Sequence, residues 1–117
     1  MNDLIERYLA SWNETEPAAR RKLIDDLWAE DGSYIDPMAA AHGRDEIEAT
    51  IAAVQAQFPG FVFTAAGPVD AHHCQARFTW GLGPDGAEPV VVGFDVAVAD
   101  EDRRLTSVLG FLDKVPG

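Results

Sequence analysis

One cysteine, Cys74, stands in 117 residues, which excludes an internal disulfide and a cysteine-built zinc site. Within an alternating strand pattern it is expected to be a small buried hydrophobe. Basic residues are also few. Nine Lys and Arg against twenty Asp and Glu leave a formal charge of −11. That field repels phosphate backbones and anionic leaflets, so neither nucleic acid nor membrane is expected as a partner. No long hydrophobic run occurs: Asp3, Glu6 and Arg7 interrupt the first twelve residues, so no signal peptide or membrane span is expected and the predicted location is cytoplasmic. There is no phosphate-cradling loop, because Gly81-Leu82-Gly83 runs into the turn signal Pro84-Asp85-Gly86 with no helix behind it. No nucleotide or other cofactor is expected. A Gly-x-Ser-x-Gly elbow is missing, and Cys74 beside His73 on a strand would face away from it, which disfavours nucleophilic catalysis.

What remains is ordinary globular composition, 47% apolar and 25% charged, sized for one domain over 1–117. Leu4, Ile5, Tyr8, Leu9 and Trp12 form the buried stripe of a first helix. Thr15, followed by Glu16 and Pro17, reads as the cap of a second helix whose stripe runs Leu23, Ile24, Leu27, Trp28 and which ends near Asp31-Gly32. A short strand, Ser33 to Asp36, is closed by Pro37. A third helix carries Ile47, Ile51, Val54 and Phe58 and stops at Pro59-Gly60. From Phe61 the period changes to two, predicting an antiparallel sheet whose strands are divided by turn signals. The expected class is α+β, three N-terminal helices covering one side of a curved, mostly antiparallel sheet that can hold a pocket.

Three residues suggest proton movement. Asp95 lies among nine small or apolar neighbours, Val90 to Ala99, so its strand is predicted to be buried on both faces. A carboxyl there either finds strong partners or shifts its pKa upward and stays protonated as a donor. Tyr8 presents a second donor from a buried stripe, and Asp36, at a strand end before proline, is placed to act as an ionised base. Each also has a purely structural explanation, as a core aromatic, a turn cap or a loop anchor. Of the aromatics able to wall a cavity, Phe58, Phe78 and Trp80 are the expected lining, with Leu112. No metal site is expected: His72 and His73, adjacent on a strand, should point to opposite faces, and His42 reads as a solvent-facing loop residue before the third helix.

The segments Glu6-Arg7-Tyr8-Leu9-Ala10, Tyr34-Ile35-Asp36-Pro37 and Val92-Gly93-Phe94-Asp95-Val96 resemble the catalytic segments of ketosteroid isomerases. His42-Gly43-Arg44 and Val108-Leu109-Gly110-Phe111 look like SnoaL-like sequences, so the chain resembles the nuclear-transport-factor-2-like superfamily over nearly its whole length. The resemblance implies a cone-shaped fold and catalysis without a cofactor on a small apolar carbonyl compound. Asp36 would shuttle a proton, and Tyr8 and protonated Asp95 would bind the enolate oxygen. The isomerases are themselves the standard example of a carboxylic acid kept neutral for this purpose. It leaves open a SnoaL-type cyclase and a noncatalytic small-ligand binder. It also implies a homodimer formed through the outer sheet face. An epoxide-hydrolase chemistry would need a pocket arginine, and Arg77 is predicted on the face opposite Phe78 and Trp80.

Overall fold

A computed structural model describes residues 1–116. The chain runs α1 (Asn2–Asn13), α2 (Pro17–Leu27), β1 (Trp28–Asp36), β2 (Ala39–His42), α3 (Gly43–Gln57), β3 (Phe61–Ala65), β4 (Asp70–His72), β5 (Gln75–Pro84), β6 (Val91–Ala99) and β7 (Leu105–Lys114). The strands form one open sheet in the order β2-β1-β7-β6-β5-β3, with β4 paired to β5. All pairings are antiparallel except β1 with β7, which brings the first strand beside the last. This is the α+β plan expected from the sequence. Register shifts in β1, between Trp28 and Ser33, and in β6 mark bulges that bend the sheet.

Strict alternation explains which face meets the helices. Along β6, Val91, Gly93, Asp95, Ala97 and Ala99 are buried, and the residues between them are half-buried. On β5 the inward set is Ala76, Phe78, Trp80 and Leu82. Against them pack Leu4, Ile5, Tyr8 and Trp12 of α1 and Ile47 and Ile51 of α3. Polar clamps fix the helices on this face. Asn13 pairs with the backbone of β3 in both directions, donating to Phe63 O at 2.9 Å and accepting from Phe63 N at 2.7 Å. Gln55 of α3 donates to Trp12 O and Glu14 O, each at 2.9 Å, tying the end of α1 to α3. These bonds satisfy carbonyls that a helix end otherwise leaves without partners.

Several local expectations need correction. The second helix stops at Leu27, four residues before Asp31, because the chain passes directly into β1. Trp28 N still donates to Ile24 O, but Trp28 O accepts from the Arg44 guanidinium at 2.7 and 3.2 Å, so the helical ladder ends there. The stripe through Trp28 is equally compatible with a strand start. The cap of α2 is Glu16 rather than Thr15; its carboxylate accepts from Ala19 N at 2.6 Å, and Pro17 follows in the first turn. Cys74 is exposed rather than buried, since the β4–β5 turn occupies that position and β5 begins at Gln75. His73 there has φ of 54°, which swings its ring towards His72 instead of away; their Nδ1 atoms lie 3.2 Å apart on the surface. No group of three or more His, Cys, Asp or Glu side chains is arranged to hold a metal ion among the described residues. No helix among them is long and apolar enough to cross a membrane.

Candidate active site

The inner sheet face and the helices enclose a cavity of about 380 Å³. Tyr8, Asp36 and Asp95 all border it, as do Phe58, Trp80 and Leu112. Three separate elements thus deliver the residues that the sequence singled out to one chamber. Phe78 is the exception among the expected lining residues. It is fully buried on β5 with its ring 5.9 Å from that of Tyr8, so it supports the tyrosine from behind and does not form the wall. His42 also stands apart, exposed at the start of α3 with its backbone N–H bound to Glu46. Arg77 pairs with Asp70 on the outer surface at 3.0 Å.

Tyr8 is held by its helix and by its neighbours. Its backbone carbonyl accepts from the buried Ser11 hydroxyl at 2.6 Å, and its ring meets Trp12, Trp28 and Phe78 at centroid distances of 6.3, 6.4 and 5.9 Å. That packing aims the hydroxyl at Asp95, to which it donates at 3.3 Å from Oδ2. Burial, then the Asp95 charge, pushes the phenol well above its ordinary value, so it remains a donor.

Asp95 sits mid-strand on β6, opposite Phe78 on β5 and Gly110 on β7, and is 2% exposed. Two glycines make the room around it. A Cβ on Gly93 would lie 2.1 Å from the Trp80 ring, so only glycine lets the indole lie flat across β6 beside the acid. A Cβ on Gly110 would stand 2.8 Å from Asp95 Oδ1 and 3.3 Å from Asp36 Cβ; the missing side chain leaves the gap in which the two acids approach. Among the described residues, Asp95 Oδ1 has no hydrogen-bond partner.

The chemistry of Asp95 follows from this setting. Burial raises its pKa from 3.8 to about 6; the Trp80 indole and Tyr8 hydroxyl pull it down, and the nearby Asp36 charge pushes it up. Below pH 6 it is mostly protonated and can donate. The indole and phenol limit the rise that burial produces, so the pKa lies near 6.

Asp36 ends β1 and is an acceptor on both oxygens. Oδ1 accepts from Met38 N and Ala39 N, both at 2.8 Å, and Oδ2 accepts from the Tyr34 hydroxyl at 2.5 Å. The proline that follows it forces the turn whose amides make the first two bonds. Tyr34 also belongs to the site, although its place in an alternating strand gives it no sequence signature of its own. It is 4% exposed, lines the cavity, and its hydroxyl stays protonated because burial and the Asp36 hydrogen bond both raise its pKa. A usable signal was present, since residues two apart on a strand share a face and Tyr34 and Asp36 are so spaced. Trp12 and Phe63 complete an aromatic wall, 5.2 Å apart between centroids, with Phe63 5.4 Å from Trp80.

Residues 5–108 match the SnoaL-like domain family. A proposed isomerase of the SnoaL-like family from Agrobacterium tumefaciens is similar in structure, with a TM-score of 0.90 at 38% identity and 95% of each chain covered. At the level of fold alone, the chain resembles two further structures. One is a protein with a ketosteroid isomerase-like fold from Catenulispora acidiphila, in complex with trimethylamine (TM-score 0.71, 22% identity, 92% of this chain and 82% of that one). The other is a proposed polyketide cyclase from Sinorhizobium meliloti (TM-score 0.72, 13% identity, 92% and 93%). No curated protein matches the sequence. With the helices, the mixed sheet and the cavity as described, the chain belongs to the SnoaL-like family of the nuclear-transport-factor-2-like fold.

Proposed function

We propose that this protein is a cofactor-free acid/base enzyme acting on a small apolar carbonyl compound, with isomerisation of an enone as the leading reaction. The observation that carries this reading is the meeting of two hydrogen-bond donors and an acceptor carboxylate on one apolar cavity. Asp36 removes a proton from the carbon between the carbonyl and the double bond. The C–H electron pair becomes the enolate, and the negative charge gathers on oxygen. Tyr8 and protonated Asp95 donate to that oxygen, where stabilisation is worth most. Asp36 then returns its proton to the far carbon of the double bond, so atoms and charge balance without a co-reactant.

A plain ligand binder would be favoured by an Asp95 tied up in the protein's own donors. Its bond from Tyr8 is long, the Trp80 indole is the other donor near it, and Oδ1 is unpartnered among the described residues, which favours chemistry. The proposed working unit is a homodimer. Ile35, Leu109 and Phe111 expose apolar surface on the outer sheet face, Phe111 by 59%. The test is conversion of 3-cyclohexenone to its conjugated isomer, followed by ultraviolet absorbance at pH 5.5. Acceleration over buffer that is lost in Asp36→Asn supports the reading; a rate equal to buffer across a panel of small β,γ-enones overturns it.

A further inference from the structure

The cavity is more acidic and more aromatic than a neutral carbonyl compound requires. Among the described residues that line it, two are carboxylic acids, Asp36 and Asp95, and none is Lys, Arg or His. No guanidinium, ammonium or imidazole therefore stands in the wall to balance the acids. Asp36 already accepts from three donors, whereas Asp95, 2% exposed, has a long bond from Tyr8, the Trp80 indole nearby and an unpartnered Oδ1. A carboxylate so placed is expensive unless something positive comes close to it.

The rest of the wall suits a particular kind of positive charge. Trp12, Phe63 and Trp80 form a continuous run, with centroid separations of 5.2 and 5.4 Å, and Tyr34 lies 5.4 Å from Trp12. Aromatic faces attract cations through their quadrupole, most strongly when water is excluded, and indole is the best of them. A metal ion would need several oxygen or nitrogen ligands, and no group of three or more His, Cys, Asp or Glu side chains that could hold one is present among the described residues. An alkylated ammonium needs none: its charge is spread over methyl groups that pack against rings. The 380 Å³ volume leaves space for an apolar body as well.

We propose that the cavity also binds small organic cations, tertiary or quaternary ammonium compounds with an apolar body, with the charged centre beside Asp95 and its alkyl groups against Trp80, Phe63 and Trp12. The same acid thereby has two uses. Protonated, it donates to an oxygen; ionised, it is the counter-charge for a cation. The inference rests on the cavity assigned above and not on turnover, so loss of one does not entail loss of the other.

The test compares phenyltrimethylammonium with its uncharged isostere tert-butylbenzene at pH 7.5, with binding read from the indole N–H resonances of the ¹⁵N-labelled protein. The expected result is a preference for the cation of at least about tenfold. It should fall to near unity in Asp95→Asn while the neutral isostere still binds. Trp80→Leu should weaken the cation more than the isostere and serves as a second reading should Asp95→Asn misfold. Equal affinities in the wild type, a preference that survives Asp95→Asn, or absence of cation binding would each overturn the proposal. Enone isomerisation, assayed separately, reports whether the catalytic reading stands.

Discussion

Replacing Asp95 by Asn should make the protein more stable above pH 6 and remove a specific part of its pH dependence. The carboxyl titrates near 3.8 when solvated and near 6 in the fold. A folded-state pKa raised above the unfolded one means that the native state holds the proton more tightly. That stabilisation is complete below about pH 4 and is lost as pH rises through about 6. A shift of roughly two units corresponds to about 3 kcal/mol, an upper bound because the native hydrogen bond from Tyr8 is also altered by the substitution. The assay is urea unfolding of both proteins at half-unit steps from pH 4 to pH 8. The stability difference, variant minus wild type, should climb by about 2–3 kcal/mol between those limits, most steeply near pH 5, midway between the two pKa values. A flat difference would refute the claim that burial of this carboxyl governs its ionisation.

Other consequences concern the same residues. Tyr34→Phe removes one of three donors that orient Asp36 and should lower enone turnover about tenfold, since hydrogen bonds to charged groups are worth about 1.5–3 kcal/mol. An unchanged turnover rate would reduce Tyr34 to packing. Gly110→Ala drives a methyl group to within 2.8 Å of Asp95 Oδ1; the carboxyl should rotate away, and enone turnover followed by absorbance should fall. Phe111→Glu places a charge on the outer sheet face and should convert the proposed dimer to a monomer in light scattering, with the cavity intact. A wild-type monomer at micromolar concentration would dispose of the dimer.

The site was legible where one residue violated its local pattern. Asp95 stands out because everything around it on β6 is apolar, and Tyr8 because it alone in its stripe carries a hydroxyl. Tyr34 was missed for the opposite reason: in β1 it fits an alternating strand and violates nothing, and only the pairing with Asp36 reveals it. Phe78 shares a strand face with Trp80, yet α1 lays Tyr8 over one and leaves the other open, and periodicity within β5 carries no record of which helix lies above. The end of α2 is not legible in sequence because Trp28 satisfies helical and strand periods alike, and the deciding bond comes from Arg44, sixteen residues on. His73 was misplaced because a positive φ at a non-glycine turn residue leaves little signal in sequence.

The central claim is that Asp36 moves a proton while Tyr8 and Asp95 hold the resulting oxyanion. Proton NMR of a small ketone in D₂O tests it most directly, since exchange at the α-carbon reports enolate formation whatever the natural substrate is. With cyclohexenone at pD near 5.5, the wild type should exchange the α-protons well above buffer. Asp36→Asn should abolish the excess, and Tyr8→Phe should reduce it on the order of 100-fold, as loss of one preorganised donor does. Exchange that is no faster than in buffer, or that persists undiminished in both variants, would contradict the account.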